Sequence, residues 1–357
     1  MKALILAAGR GTRLRPLTYT RAKPLLRVAN QPILAYALRN LVEAGIVEIG
    51  IVVSESNQDE IAREVMGLVE ASITLICQTE QLGLAHAIRC AQDFLGQDDF
   101  CVYLGDNLFE EGIGRYVQAF REDQCDATIA LVRVPDPRHF GVAVMNLEGR
   151  LERLVEKPEI PPSNLAIAGV YCFSSAVHPF IDALEPSARG EYELTDALKS
   201  LIAAGQQGKG KGVSGVEVAG WWKDTGRPED LLEANRLLLE RIEVVQRGTV
   251  HNSQVLGRVQ ICEGAIIRNS TIVGPAIIGA GAQLEGVYVG PHTSIGAGAV
   301  LTDVELEYSV IGEDAVLESV PARMRECLVG RKTVVRGNKT APIVYRMVVS
   351  DMSTLEL

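Results

Sequence analysis

The sequence predicts an α/β domain with a mixed, mainly parallel sheet, followed by a parallel β-helix. In the first part of the chain, short apolar runs alternate with segments of helical spacing, which is typical of a sheet with helices on both faces. From about Val250 onward, aliphatic residues recur near every sixth position, which is typical of a β-helix. The length of 357 residues also exceeds that of one typical domain. We therefore expect one domain over residues 1–243 and a second over residues 244–357.

Composition narrows the classes of function. The net charge of −10 argues against general nucleic-acid binding, and an aromatic content of 5% argues against a base-stacking surface. No apolar stretch has the length of a membrane span, and no signal-peptide pattern is present. The seven cysteines are scattered and the five histidines do not cluster with them, which argues against a zinc site. We expect a cytoplasmic protein that binds neither nucleic acid nor membrane.

The first loop is the main candidate for function. The apolar run from Ala3 to Ala8 predicts a buried strand, and Gly9, Gly11, Arg13 and nearby arginines follow it. Glycines let the backbone turn and present its N–H groups, and together with arginines these suit a polyphosphate. Neither the P-loop motif nor the third glycine of the dinucleotide fingerprint is present. A Gly-rich connection with solvated arginines is the alternative reading.

Strands and helices then alternate up to residue 134. The spacing of apolar residues predicts a helix that begins near Pro32 and ends before Gly45. We expect further strands at residues 46–53, 73–77, 100–104 and 127–134, and helices at residues 59–68, 83–94 and 112–122. This alternation predicts a Rossmann-like sheet, in which ligands bind outside the carboxyl ends of the strands.

Two acidic residues follow predicted strands. Asp106 comes after residues 100–104, and Asp224 follows the Trp221-Trp222 run. A carboxylate at the carboxyl end of a strand is well placed to hold Mg²⁺ beside a phosphate. A turn residue or helix cap is the alternative for each.

Between these acids, the pattern changes to shorter strands. Residues 140–144, 151–156 and 166–173 are apolar runs separated by turns, and we expect them to build a pocket of the size of a sugar. Gly169 lies within the last run, where a substrate can approach the backbone closely. Residues 208–215 are rich in Gly and Lys and predict a loop, and a long amphipathic helix from Pro228 to about Glu243 ends the domain.

The last third of the chain repeats itself. Ile261, Ile267 and Ile272 begin a series of aliphatic residues with small residues between them, and aliphatic-Gly pairs such as Ile295-Gly296 recur. In a parallel β-helix one aliphatic side chain per six residues points inward and small residues turn the corners. Residues 320–344 depart from this pattern, which predicts a loop or short helix that interrupts the coil.

Six motifs in order resemble those of the sugar-1-phosphate nucleotidylyltransferases. They are Leu6 to Arg15 continuing to Lys23-Pro24, Leu82-Gly83-Leu84-Ala85-His86-Ala87, Leu104-Gly105-Asp106-Asn107, Val155-Glu156-Lys157-Pro158, Glu191-Tyr192-Glu193-Leu194-Thr195-Asp196 and Trp222-Lys223-Asp224-Thr225-Gly226. With its repetitive tail, the chain is most similar to the long-form members that act on dTTP and glucose 1-phosphate. The resemblance implies that the β-helix is left-handed.

The resemblance also implies a reaction and roles for individual residues. dTTP and glucose 1-phosphate would give dTDP-glucose and pyrophosphate with Mg²⁺, a step of nucleotide-sugar biosynthesis. The implied nucleotide-binding residues are Leu6, Ala8, Gly9, Gly11, Thr12, Arg13, Gln78, Gly83 and Asp106. Arg13 and Lys23 would be catalytic, and Asp106 and Asp224 would bind the metal. The implied sugar-phosphate-binding residues are Gly141, Glu156, Lys157 and Gly169.

Several alternatives remain at this stage. Ala8, Pro24 and Leu25 also fit uridylyltransferases, so UTP is an alternative to dTTP. The β-helix of a bifunctional enzyme would be an acyltransferase with His251 or His292 as its base, although neither has an acidic partner nearby in the sequence. The third alternative is a regulatory relative that binds sugar nucleotides without turnover. Because the flanks of a β-helix are flat, we expect a homo-oligomer.

Overall fold

The structure, a computed structural model, describes residues 1–337 and 347–356. The chain divides into two compact units. The sheet unit comprises Met1–Gly9 and Leu34–Asp224, and the β-helix unit comprises Arg10–Ile33 and Thr225–Leu357. The segment Arg10–Ile33, which follows the first strand, is thus grouped with the end of the chain. The boundary between residues 243 and 244 stays a prediction.

The sheet unit is built on a nine-stranded mixed sheet. Its first strand, Lys2–Leu6, pairs in parallel with Glu48–Val53 and Phe100–Leu104, and Glu48–Val53 pairs in parallel with Ser72–Cys77. The strand Leu165–Phe173 adds antiparallel pairing beside Phe100–Leu104. The other strands are Ala127–Arg133, Gly141–Met145, Leu151–Glu156 and Val213–Glu217. A separate two-stranded sheet joins Asn107–Phe109 to Trp222–Asp224.

Apolar periodicity accounts for these elements. All nine residues of Leu165–Phe173 are buried, as expected of a strand covered on both faces.

The helices are Ile33–Glu43, Gln58–Val65, Leu84–Cys90, Gln92–Leu95, Gly114–Asp123, His178–Asp182 and Leu194–Gln206. The Rossmann-like fold predicted from the alternation of elements is therefore confirmed.

Two local predictions for the sheet unit were wrong. Residues 83–94 do not form one helix, because Ala91 leaves the helical conformation and separates Leu84–Cys90 from Gln92–Leu95. Residues 208–215 are not wholly a loop, because the strand Val213–Glu217 pairs in parallel with Ala127–Arg133. That pairing buries Val213 and Ser214. The partner strand is distant in the sequence, so local composition did not reveal it.

Within residues 1–337 and 347–356, the β-helix unit shows three stacked parallel sheets, of seven, seven and five strands. One column of partners runs Ile267, Leu284, Leu301, Leu317 and Val335, each opposite the next in register. All five side chains are buried. These stacked sheets are those of the predicted left-handed parallel β-helix, so that part of the fold class is confirmed as well.

Regular strands make up each coil of this unit. Their bounds are Val245–Gln246, Thr249–His251, Gln254–Leu256, Val259–Ile261, Ile266–Arg268, Thr271–Val273, Ala276–Ile278, Gln283–Glu285, Tyr288–Val289, Thr293–Ile295, Val300–Thr302, Glu305–Glu307, Val310–Ile311, Val316–Glu318, Met324–Arg325, Leu328–Val329, Val334–Arg336, Val348–Val349 and Thr354–Glu356. The sequence predicted an interruption of the coil over residues 320–344. Between residues 320 and 337 the structure has three short strands, the last ending at Arg336, and no helix. The remainder of that range, residues 338–344, lies outside the described residues.

The β-helix unit also contains a helix, Pro228–Leu239, and a short hairpin of Arg27–Val28 with Gln31–Pro32. Three 3₁₀ turns, Thr12–Leu14, Leu17–Tyr19 and Lys23–Leu25, precede the hairpin. Over residues 1–337 and 347–356, no helix combines the length and apolar character needed to cross a bilayer.

Candidate active site

The first strand delivers the loop residues Leu6, Ala8 and Gly9 to the carboxyl edge of the sheet. The Leu6 carbonyl accepts a hydrogen bond from Gly105 N at 3.0 Å, and Ala7 N donates to Val52 O at 2.8 Å. Nδ2 of Asn57 donates to the Ala7 carbonyl at 2.9 Å. The start of the loop is therefore fixed by main-chain groups and one buried amide. Asn57 was not among the predicted site residues, because an asparagine after a strand indicates only a turn.

Gly11, Thr12, Arg13 and Lys23 lie in the segment Arg10–Ile33. Gly11 has a φ of 61°, a left-handed conformation that favours glycine. A Cβ at this position would lie 3.0 Å from Cγ2 of Thr18 and 3.1 Å from Cβ of Lys23. Oγ1 of Thr18 also donates to the Gly11 carbonyl at 2.8 Å. The structure thus brings Gly11 and Lys23 together, and it leaves Thr12 and Arg13 exposed.

The two predicted metal ligands lie at the ends of two paired strands of the sheet unit: Asp106 immediately precedes Asn107–Phe109, and Asp224 ends Trp222–Asp224. Asn107 is the register partner of Asp224 in the two-stranded sheet, which places Asp106 one residue away from that pair. Nδ2 of Asn107 donates to Oδ1 of Asp106 at 2.7 Å, and Oδ1 of Asn107 accepts from Nε1 of Trp222 at 2.7 Å. Asn107, which is 3% exposed, therefore connects Asp106 with the strand that ends in Asp224.

These two carboxylates suit a magnesium ion. In the described part of the chain, no group of three or more His, Cys, Asp or Glu side chains is arranged to hold a metal. Mg²⁺ commonly takes one or two protein carboxylates and completes its shell with water and substrate phosphates. Asp106 and Asp224 fit this pattern, since the protein would supply only part of the shell.

Gly169 packs against the same asparagine. Its φ is 78°, and a Cβ there would lie 2.9 Å from Cγ and Oδ1 of Asn107. Both the conformation and the contact require glycine. Nε1 of Trp222 additionally donates to the neighbouring Ala168 carbonyl at 2.9 Å. The predicted sugar-binding residue Gly169 and the predicted metal ligand Asp106 therefore share Asn107 as a neighbour.

Gly141 and Glu156 lie on paired antiparallel strands, and Lys157 directly follows the second of them. Gly141 is the register partner of Glu156, and Nζ of Lys157 lies 3.5 Å from Oε1 of Glu156. Nη2 of Arg189 lies 3.2 Å from the same Oε1 and 2.7 Å from Oε1 of Glu193. The pKa of Arg189 is raised, chiefly by its hydrogen bond to Glu193.

Arg189 and Glu193 were missed as site residues. Glu193 lies within the fifth sequence motif and Arg189 lies two residues before that motif, but only the fold brings them to Glu156. Burial raises the pKa of Tyr171, and the charges of Glu156 and Asp106 raise it further. Both carboxylates are therefore close enough to act electrostatically on one tyrosine.

Gln78 and Gly83, the predicted base contacts, are also neighbours. Nε2 of Gln78 lies 3.3 Å from the Gly83 carbonyl and 3.0 Å from Nδ1 of His86. The His86 ring in turn stacks on Tyr192, with ring centroids 6.0 Å apart. These bonds engage the amide nitrogen of Gln78 and leave Oε1 as its acceptor.

The candidate base for an acyltransferase has a partner that the sequence did not reveal. Nε2 of His292 lies 2.7 Å from Oε1 of Glu240, which is 52 residues away in the chain. His292 therefore has an acidic partner in the fold, although that partner is distant in the sequence. The ring also packs edge-on against Tyr308. His251 is exposed on the first coils.

Comparison with known proteins gives consistent results. The model of a family described as nucleotidyl transferase matches residues 2–241. A glucose-1-phosphate thymidylyltransferase of Streptomyces griseus is 44% identical over 363 residues, which cover 100% of this chain and 99% of the relative. The low-salt glycan biosynthesis nucleotidyltransferase Agl11 of Haloferax volcanii is 47% identical over 253 residues, or 70% of this chain and 69% of that protein.

A solved structure is similar to about two thirds of the chain. It is that of a candidate glucose-1-phosphate thymidylyltransferase from Bacillus anthracis in complex with a sucrose. It matches with a TM-score of 0.61 at 33% identity and covers 69% of this chain and 98% of its own.

Proposed function

The chain belongs to the nucleotidyl transferase family, and we propose that it transfers the thymidylyl group of dTTP to glucose 1-phosphate. The products would be dTDP-glucose and pyrophosphate. The observation that carries the proposal is the 44% identity to a glucose-1-phosphate thymidylyltransferase over 100% of this chain, β-helix included. The family resemblance read from the six motifs is thereby confirmed, and the choice of base and sugar belongs to this proposal.

The reaction joins two anions, so charge neutralisation and alignment are the main tasks of the protein. An oxygen of the sugar phosphate attacks the α-phosphorus, and the bond from that phosphorus to the bridging oxygen of pyrophosphate breaks. Arg13 and Lys23 would neutralise charge at the α-phosphate. Main-chain groups of Leu6, Ala8, Gly9, Gly11 and Thr12 would hold the nucleotide.

Asp106 and Asp224 would hold Mg²⁺, which when bound supplies positive charge to the nucleotide and sugar phosphates. The hydrogen bond from Asn107 Nδ2 to Asp106 Oδ1 supports this assignment, because it orients the Asp106 carboxylate beside the strand that ends in Asp224. Gly141, Glu156, Lys157 and Gly169 would hold the sugar phosphate. Arg189, through its bonds to Glu156 and Glu193, would orient the Glu156 carboxylate.

The geometry of Gln78 favours a pyrimidine with a donor at its N3 position. Since the amide nitrogen of Gln78 is engaged by Gly83 and His86, its Oε1 would accept the N3–H that thymine and uracil share. Cytosine has an acceptor at that position and would leave Oε1 unsatisfied. Gly83 would approach the base with its main chain.

A pyrophosphate-release assay tests the proposal. dTTP, UTP, CTP, ATP and GTP are compared with glucose 1-phosphate and Mg²⁺, and we expect the highest kcat/KM with dTTP and the next with UTP. Activity with UTP alone would overturn the choice of base and leave a uridylyltransferase. The same assay with galactose 1-phosphate or glucosamine 1-phosphate in place of glucose 1-phosphate tests the choice of sugar. Light scattering of the purified chain tests the expected homo-oligomer.

A further inference from the structure

The segment Arg10–Ile33 ends in a hairpin whose conformation requires support. Its strands, Arg27–Val28 and Gln31–Pro32, are joined by Ala29 and Asn30, which have φ values of 47° and 60°. A two-residue connection with positive φ at both positions is a tight turn that normally carries Asn or Gly. Asparagine tolerates this conformation, whereas alanine does so only where its surroundings hold it in place.

The tip of the hairpin is held by the helix Pro228–Leu239. Ala29 N donates to Oδ1 of Asn235 at 2.8 Å, and Asn235 is completely buried. The same Oδ1 accepts from Oγ of Ser294 at 2.8 Å, and Nδ2 of Asn235 donates to the His292 carbonyl at 3.0 Å. Asn235 therefore joins the hairpin to one coil of the β-helix.

Asn30 and Arg27 contact the β-helix directly. Nδ2 of Asn30 donates to the Ile295 carbonyl at 2.6 Å. Nη2 of Arg27 pairs with Oε1 of Glu313 at 2.9 Å, and each of these side chains is only 27% exposed. Nη1 of Arg27 also donates to the Asn30 carbonyl at 3.1 Å. Partial burial reduces screening of this ion pair by solvent, so the pair constrains the hairpin more than an exposed pair would.

The hairpin is continuous with the turn that carries Lys23. Leu26 N donates to the Lys23 carbonyl at 3.1 Å, and Ile33 N donates to the Leu26 carbonyl at 3.0 Å. Nε of the buried Arg21 donates to the Leu25 carbonyl at 2.8 Å. Lys23 is in turn the close neighbour of Gly11. A chain of packed and hydrogen-bonded groups thus runs from the coils of the β-helix to the residues beside Arg13.

We propose that the β-helix positions Gly11, Thr12 and Arg13 of the candidate phosphate-binding loop through the hairpin of residues 27–32. Arg27, Asn30, Asn235 and Glu313 are positioning residues in this account, since they act on the reaction through Lys23 and Arg13. The proposal rests on the proposed function of that loop. The β-helix unit would then contribute to catalysis as well as to any assembly of subunits. Small displacements of a group that aligns reactants reduce turnover strongly.

A charge-reversal cycle tests the proposal. Arg27→Glu and Glu313→Arg are made singly and together, and kcat and KM are measured for dTTP and glucose 1-phosphate. We expect each single variant to lower kcat about tenfold or more, and the double variant to recover to within about threefold of the wild type. The matched control is the pair Arg323–Glu305, an ion pair of 3.0 Å within the β-helix. Its single reversals should leave kcat within about twofold.

A second variant separates backbone from side-chain effects. Asn30→Gly keeps the positive φ and removes the amide that bonds the Ile295 carbonyl, and we expect the same direction of change in kcat with a small decrease in the thermal unfolding midpoint that leaves the protein folded under assay conditions. Wild-type kcat in all three single variants would overturn the proposal. A double charge-reversal variant no more active than its single variants, although folded by circular dichroism, would overturn it too.

Hydrogen exchange provides a readout that does not depend on activity. We expect faster exchange across residues 10–26 in Arg27→Glu than in Arg323→Glu, because the hairpin no longer restrains that segment. Equal exchange in the two variants would overturn the positioning role. If the wild type released no pyrophosphate from any nucleotide, the proposed function would fail, and the exchange result would still decide whether the β-helix restrains the loop.

Discussion

Asn107 illustrates what a single residue contributes to this site. Its amide donates to Asp106 and accepts from Trp222, and Gly169 packs directly against it. The sequence motif Leu104-Gly105-Asp106-Asn107 identified the acid, but it did not assign a task to the asparagine. That task depends on Trp222, which is 115 residues further along the chain.

Gly169 and Gly149 form a matched pair for testing this packing. They have φ values of 78° and 77°, but a Cβ at Gly169 would meet Asn107 at 2.9 Å, whereas nothing lies within 4 Å of one at Gly149. Both alanine variants incur the left-handed strain of about 1–2 kcal/mol. We expect Gly169→Ala to lose a further ~1–3 kcal/mol of unfolding free energy from overpacking and to lower kcat. Denaturant unfolding checks this, and equal losses in the two variants would contradict it.

Arg13 is the residue on which the proposed chemistry depends most. We expect Arg13→Ala to lower kcat about 10²-fold or more, as for the loss of one electrostatic contact to a transition state. The control is Arg15→Ala in the same loop, since the Arg15 guanidinium lies over the ring of Tyr19, 5.0 Å from its centroid. Steady-state kinetics at saturating substrate check the prediction. Near-normal turnover in Arg13→Ala would remove the assigned role.

At the scale of elements, the ends of strands explain why the candidate residues meet. Leu6 ends one parallel strand and Asp106 comes two residues after the end of the neighbouring strand, so their placement at the same sheet edge was predictable from the alternation of apolar runs. The pairing of Asn107–Phe109 with Trp222–Asp224 was not predictable, because short strands with mixed composition carry little periodic signal. Asp224 was therefore found from its motif, and its position beside Asp106 came from the fold.

The short helix His178–Asp182 adds a pH dependence to the stability of the sheet unit. His178 is 9% exposed and stacks on Phe100, and burial lowers its pKa. The unfolded chain, with a histidine pKa of about 6.5, then binds a proton at a higher pH than the folded chain does. Stability from this group is complete above the unfolded pKa and decreases as the pH falls below it.

We expect His178→Phe to reduce this loss. The thermal unfolding midpoint of the wild type should fall more between pH 7.5 and 5.5 than that of His178→Phe, which keeps an aromatic ring against Phe100. His251→Gln, at an exposed position on the β-helix, serves as the control and should follow the wild type. A scan of unfolding midpoints at several pH values checks this. Parallel curves for the wild type and His178→Phe would show that the histidine makes no such contribution.

At the scale of the whole molecule, the two compact units are not continuous stretches of the sequence. The segment Arg10–Ile33 lies early in the sequence and yet is grouped with Thr225–Leu357. Hydrogen bonds from Ala29 and Asn30 to Asn235 and Ile295 account for part of this grouping. The boundary between residues 243 and 244 rests on composition along the chain and stays a prediction, whereas the grouping of Arg10–Ile33 with Thr225–Leu357 reflects contacts between distant residues.

The sequence by itself determined the features that depend on local pattern. The recurrence of an aliphatic residue near every sixth position, as at Ile261, Ile267 and Ile272, determined the β-helix, because each flat side of a coil needs an inward aliphatic side chain. Alternating apolar runs determined the Rossmann-like sheet, and the motifs around Arg13, Asp106 and Glu156 determined the family. The tertiary structure alone decided the partners of these residues. Bonds such as Trp222 to Asn107 and Arg27 to Glu313 join residues that are far apart in the chain. They form only when packing brings those residues together, and no local spacing encodes that.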